Sequence, residues 1–168
     1  MSEENLKSQE AIEKLKKLVN CIDIGMVCSR TGKGSDIHAV PMSRQEVDDE
    51  GNIWYLISAD SETHRNLLNN SKVTLLFSDI KAYEFLSVDG YAEISRDRSR
   101  IEKYWNKMME AWFERGKEDP SIRVLKVATD DAYYWDNKSN KVVTFLKAAA
   151  SAITGKKMDI GRSGELDL

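Results

Sequence analysis

Residues 53–64 read IWYLISADSETH, and the reading of this stretch decides the fold. Ile53 to Ser58 is a short run of aromatic and β-branched residues, the composition of a buried strand. The chain then turns at Ala59–Asp60, and Glu62 to Asn70 reads as one short helix capped by Ser61 or Asp60. A helix that begins there turns free backbone N–H groups and its positive dipole end toward the turn. Val73 to Ser78 (VTLLFS) follows as a second buried strand. The pattern is therefore strand, short helical crossing, strand.

Working outward toward the N-terminus, Asp48–Asn52 (DDEGN) is a strong turn signal and Ile37 to Ser43 (IHAVPMS) is extended. Ile24 to Ser29 reads as a strand that runs into a turn at residues 31–35 (TGKGS). Strand, turn, strand, turn and strand imply an antiparallel meander. Leu6, Ala11, Ile12, Leu15, Leu18 and Val19 recur at helical spacing before it, with Ser8 as the candidate cap and an end near Asn20–Asp23. Toward the C-terminus, Tyr83 to Ser95 reads as a long strand with Gly90 marking a bulge or bend. Ser99 to Arg115 is predicted to be one helix, with Ile101, Tyr104, Trp105, Met108, Met109, Trp112 and Phe113 on one apolar stripe. Ile122–Thr129 and Ala132–Asp136 supply the last strands, and a final helix is predicted over Val142–Thr154, stopping at Gly155. This order is α+β: a small antiparallel β-barrel with helices packed outside it. Residues 1–155 form one domain in this reading, and residues 156–168 form a polar C-terminal tail.

The 168 residues suffice for one domain with a substantial core. A formal net charge of −3 argues against nucleic-acid binding by broad counterion release. The apolar runs are too short to span a bilayer, and MSEENLKSQEAIEKLKK at the start is acidic and amphipathic, without the apolar core of a signal peptide. A cytoplasmic location and no membrane partner are expected. Cys21 and Cys28 sit in an apolar segment with no metal-type Cys/His spacing, so they read as buried reduced thiols and no metal is expected. The C-terminal Lys147, Lys156, Lys157 and Arg162 are diluted by Glu165 and Asp167 and read as a solvated face. No nucleophile elbow, zinc helix, P-loop or dinucleotide fingerprint occurs, and no catalytic residue can be singled out.

A set of short pieces carries more. Ile53-Trp54-Tyr55 precedes Ser58-Ala59-Asp60-Ser61, then come residues 86–92 (LSVDGYA), Trp105 with Ala111-Trp112-Phe113, Asp119-Pro120, Tyr134-Trp135-Asp136 and residues 145–155. In order and spacing these resemble the general-stress-protein branch of the pyridoxamine 5′-phosphate oxidase-like split barrels. The resemblance implies a homodimer with flavin mononucleotide (FMN) bound at the subunit interface and a small-molecule redox partner or substrate. It implies that the flavin lies against Ala39, Val40, Pro41 and Met42 and against Ile57 and Ser58. Its phosphate would lie near Ser61, Thr63 and His64, where a helix N-terminus favours an anion. The other subunit would present the strand with Ser87 and an aromatic, Trp112 or Trp135.

Two positions depart from the family pattern. Val40 stands where relatives carry Arg, and Thr63 stands where they carry Lys; Glu62 adds a negative charge beside it. Each charge-assisted hydrogen bond to a phosphate is worth roughly 1.5–3 kcal/mol, so these are substantial losses. His38, His64, Arg44 and Arg65 are the candidate replacements. The expected function is a flavin-dependent oxidoreductase, in which the cofactor performs the chemistry and the protein binds and orients it. A flavin-buffering protein without turnover, or a barrel that takes another small molecule, are the alternatives.

Overall fold

The computed structural model describes residues 2–3, 6–32, 36–137 and 161–168. The strands are β1 (Ser2–Glu3), β2 (Leu6–Lys7), β3 (Ile24–Arg30), β4 (Ile37–Ser43), β5 (Glu46–Val47), β6 (Ile53–Ser58), β7 (Lys72–Asp79), β8 (Glu84–Ser95), β9 (Ile122–Asn137) and β10 (Gly161–Asp167). Three α-helices interrupt them: α1 (Ser8–Cys21), α2 (Glu62–Asn69) and α3 (Arg98–Tyr104). The architecture is the expected α+β split barrel. The mostly antiparallel sheet runs β4-β3-β7-β8-β9-β10, with β6 also paired to β9.

One core holds the curled sheet together. Val27, Tyr55, Leu75, Phe77, Val88, Leu125 and Val127 point inward from five strands. Helix α1 closes this core with Ala11, Leu15, Leu18 and Val19, the i, i+4, i+7, i+8 face that apolar spacing requires. The C-terminal carbonyls of α1 are capped from outside the helix. Arg44 Nε donates to the Val19 carbonyl at 2.7 Å and its Nη2 to the Asn20 carbonyl at 3.0 Å. A second cluster joins Trp54, Ile101, Tyr104, Phe113, Ile122 and Val124 on the other side of β6 and β9. There Arg100 stacks on Trp54, 3.5 Å from the ring centroid.

The structure departs from the sequence reading in several places. The meander stops at the β3–β4 hairpin, because β6 leaves β4 and pairs with β9, Ser58 opposite Ile122. The irregularity does fall at Gly90, with its extra residue on the facing strand β9: Asp89 pairs with Asp131 and Gly90 with Thr129, so Asp130 is the added residue. Gly90 is required opposite it, since a Cβ there would run into the Ala128 carbonyl. The two expected last strands are therefore one, bent at this point. The helix predicted over Ser99–Arg115 ends at Tyr104, because Asn106 accepts the Met108 N–H at 3.0 Å and starts a 3₁₀ turn over Lys107–Ala111. Met108 and Trp112 are consequently exposed, at 81% and 79%, instead of joining the stripe. Ser8 is not a cap: it begins α1 itself with φ 51°, and the helix start has no side-chain cap. Residues 161–167 of the expected polar tail form β10, whose Leu166 is fully buried.

The predicted helix over residues 142–154 lies outside the described residues. Cys28 is buried as expected and burial pushes its thiol pKa up, whereas Cys21 is exposed. Among the described residues no helix is long and apolar enough to cross a membrane, and no group of three His, Cys, Asp or Glu could hold a metal.

Candidate functional site

Alternation along β4 sorts the expected cofactor residues into two places. Val40 and Met42 pack inward against the main core, while Ala39 and Pro41 face outward and are exposed. Antiparallel register continues Pro41 into a row across the outer face: Met26 opposite Pro41, Leu76 opposite Met26, Ser87 opposite Leu76 and Tyr133 opposite Ser87. The next row brings Phe85 opposite Trp135. The Tyr133 and Trp135 rings lie 4.7 Å apart, tilted by 56°. Met26, Leu76, Phe85 and Trp135 are each more than a third exposed on this face. Ala39, Pro41, Ser87 and Trp135 are thus brought to one surface. Trp112 makes no ring contact with them; its neighbour Phe113 belongs to the cluster around Trp54.

The other expected residues gather where β6 runs into α2. Ser61 caps the helix as predicted: its Oγ accepts the His64 N–H at 3.1 Å and donates to the Ser58 carbonyl at 2.7 Å. Ser58 Oγ accepts the Asp60 N–H at 3.2 Å, which tightens the turn. Ile57 and Thr63 are buried beneath it. His38, on β4, reaches the same region, with Nδ1 3.6 Å from a Glu62 carboxylate oxygen. Asn66 ties the helix to the sheet through a 3.2 Å hydrogen bond to Ser29 Oγ.

Of the candidate replacements for the missing cations, Arg44 is excluded, being held at the end of α1. Arg65 folds back to the Asp60 carbonyl at 2.7 Å and stays at the turn. Two further cations join it that sequence reasoning did not single out. Arg123 on β9 lies opposite Ile57, and its Nη1 donates to the Pro120 and Ile122 carbonyls at 2.8 Å each. Arg96 follows β8 and sits close enough to push the Arg123 pKa down, alongside burial. Burial first, then Arg123, holds His64 below the usual imidazole range, against a hydrogen bond to the Ala59 carbonyl and the charge of Asp60. Arg96 and Arg123 each make no ion pair within 4 Å among the described residues. No motif spacing links these positions; only β6–β9 pairing and the Ala59 N–H to Ser121 carbonyl bond (2.7 Å) bring the two segments together.

A cleft of about 360 Å³ opens elsewhere, at the bulged end of the outer face, between Arg30, Lys72, Thr74, Asp89, Tyr91 and Asp131. Thr74 and Asp89 are hydrogen-bonded across it. None of the expected cofactor residues lines this cleft.

A family model described as pyridoxamine 5′-phosphate oxidase like matches residues 10–159. Protein bli-3 of Neurospora crassa is 27% identical over 128 residues, 70% of this chain and 61% of that protein, so the chain spans about three fifths of that relative's length. The structure of a Jannaschia sp. CCS1 protein assigned as general stress protein 26 superposes with TM-score 0.76 at 21% identity, over 96% of this chain and 100% of that one. The general stress FMN/FAD binding protein of Xanthomonas citri superposes with TM-score 0.65 at 29% identity, over 79% of this chain and 93% of that one.

Proposed function

The chain belongs to the pyridoxamine 5′-phosphate oxidase-like family, and from that premise we propose that it is a cytoplasmic flavin-binding protein, taking FMN between two copies of the chain and serving redox chemistry on a small molecule. The observation that carries this reading is the outer sheet face, where Met26, Leu76, Phe85, Tyr133 and Trp135 form a surface of apolar and aromatic side chains. Such a face fits a flat, apolar ring system and a second copy of itself. The FMN/FAD binding stated for the Xanthomonas citri protein supports the same class of ligand.

The fit differs along the cofactor. The ring meets a suitable surface in Ala39, Pro41, Ser87 and Trp135. For the phosphate, Val40 is turned into the core and Thr63 is 2% exposed and neutral, so neither supplies the charge that relatives use. When bound, a flavin supplies hydride and single-electron transfer; this chain's residues bind and orient it and keep water from its ring.

The test is an absorbance spectrum of the purified protein before and after excess FMN and desalting. Flavin bands at about one per subunit are expected, and a colourless protein overturns the reading. Light scattering must give a dimer, because a monomer at micromolar concentration removes the interfacial site. Oxidation of a reduced nicotinamide, stimulated by the bound flavin, separates an oxidoreductase from a flavin-buffering protein. A second reading, a flavin-free barrel for another small molecule, is favoured by the polar cleft beside Asp89 and Asp131, which is of ligand size and touches none of the flavin positions.

A further inference from the structure

Arg96 and Arg123, next to the α2 turn, make no ion pair within 4 Å among the described residues, whereas cations close to them in the chain do. Lys126, three residues along the same strand from Arg123, pairs with Glu93 at 3.4 Å. Arg98 pairs with Glu102 and Glu118, and Arg100 with Asp97 and Glu46. Ser95 on β8 is paired with Val124 on β9, so Arg96 and Arg123 stand at the next step beyond that ladder, and neither has a carboxylate in ion-pair range among the described residues. Two guanidinium groups held together repel, and that repulsion is relieved by an anion between them. Their surroundings hold them in place. Arg123 is fixed by the two backbone carbonyls it donates to, on a strand paired to the segment that carries Ser58 and Ser61. Asp60, whose charge acts on Arg123, pairs with neither arginine within 4 Å, and Glu62 is turned to His38. Guanidinium forks of this kind match the geometry of phosphate oxygens.

We infer that Arg123, with Arg96 beside it, is the phosphate anchor of this chain, replacing from β9 and the end of β8 the positive charges absent at Val40 and Thr63. The inference rests on the flavin reading for the identity of its ligand, a flavin bearing a terminal phosphate. It does not rest on that reading for the anion site itself. His64 and Arg65 flank the anchor from α2 and face the same turn.

The test compares FMN with riboflavin, which lacks the phosphate, by quenching of flavin fluorescence in the full chain, alongside a titration with inorganic phosphate read at the arginine side-chain N–H signals. The wild type is expected to prefer FMN over riboflavin. R123Q is expected to lose about 10- to 100-fold in FMN affinity with riboflavin affinity unchanged. R96Q loses less, and the double variant loses the preference. K126Q, on the same strand with its charge paired, leaves the preference intact and controls for the strand. An FMN preference that survives in the double variant, or equal affinity of the wild type for the two flavins, overturns the anchor and leaves the flavin reading standing. If neither flavin binds but inorganic phosphate shifts the arginine signals in the wild type and not in the double variant, the flavin reading falls and the anchor stands. No response to either flavin or phosphate overturns both.

Discussion

Two charged clusters of this barrel use the same residue types to opposite ends. In the first, Lys14 of α1 and Arg162 of β10 converge on Asp136 of β9, which is 6% exposed. Burial alone would raise the Asp136 pKa, but the hydrogen bonds from Arg162 and Lys14 outweigh it and hold the carboxyl below its usual range. Lys14 also lies 4.8 Å from the Tyr134 ring centroid. This cluster locks helix α1 to the last strand. In the second, Arg96 and Arg123 stand near His64 at the α2 turn, and among the described residues no carboxylate pairs with either arginine within 4 Å. A buried charge with its partners is an element of the fold, whereas charges left unanswered at a surface turn are an invitation to a ligand.

The contrast can be broken hardest at Asp136. Asp136→Asn leaves Lys14 and Arg162 facing each other in the interior and should destabilise the protein by about 3–5 kcal/mol in urea denaturation. The pH dependence has a definite sign. The folded pKa of Asp136 lies below its unfolded value of about 3.9, so its stabilisation is present above that value and is lost as pH falls through the folded pKa. Tyr55 offers an interior control without charge. Its hydroxyl is fully buried with no hydrogen-bond partner among the described residues, and burial pushes its pKa upward. Tyr55→Phe removes that unsatisfied group and should raise stability by about 1 kcal/mol.

At the open cluster the same experiment should give almost nothing. Arg96→Gln should change the unfolding free energy by no more than about 0.5 kcal/mol, because an exposed like-charge neighbour is being removed. A loss comparable to that of Asp136→Asn would make this cluster structural as well. The smallest effect is read on His64 by proton NMR. Its folded pKa lies below the unfolded value of about 6.5, so its contribution to stability declines as pH falls from that value through the folded pKa. Arg123→Gln should move the His64 pKa up only part of the way, because burial is the larger cause.

Much of the fold was legible because its strands carry their signals locally. Ile37–Ser43 and Ile53–Ser58 begin and end where their aromatic and β-branched runs do. The Ser61 cap was legible for the same reason, since a side-chain oxygen three residues before a backbone N–H is a local matter. The failures came where distant segments decide. Asp130–Asp131 looks like a turn, yet both are exposed residues of one continuous strand whose bulge is set by Gly90 of the neighbouring strand. Asn106 broke a helix whose apolar spacing was otherwise intact, because its side chain competes for a backbone N–H. The site was half legible. The outward Pro41 and Trp135 follow from alternation, but Arg96 and Arg123 come near the α2 turn through the pairing of β9 with β6 and β8, which no short-range pattern encodes.

Strand β9 has a consequence for how the molecule comes apart. It holds hydrogen bonds to β8 along one edge and to β6 and then β10 along the other. Strands β6, β8 and β10 cannot be peeled away without breaking into this strand, whereas β4 lies at the edge on β3 alone, and amide protons near Leu125 and Val127 should exchange with solvent only when the whole domain opens. The segment after α3 packs on the sheet mainly through Phe113, against a cluster that includes Trp54, Ile122 and Val124, and contributes no strand to that ladder, so it should open at lower cost. The barrel thus unfolds in two tiers, a side flap that opens cheaply and a spine that yields last.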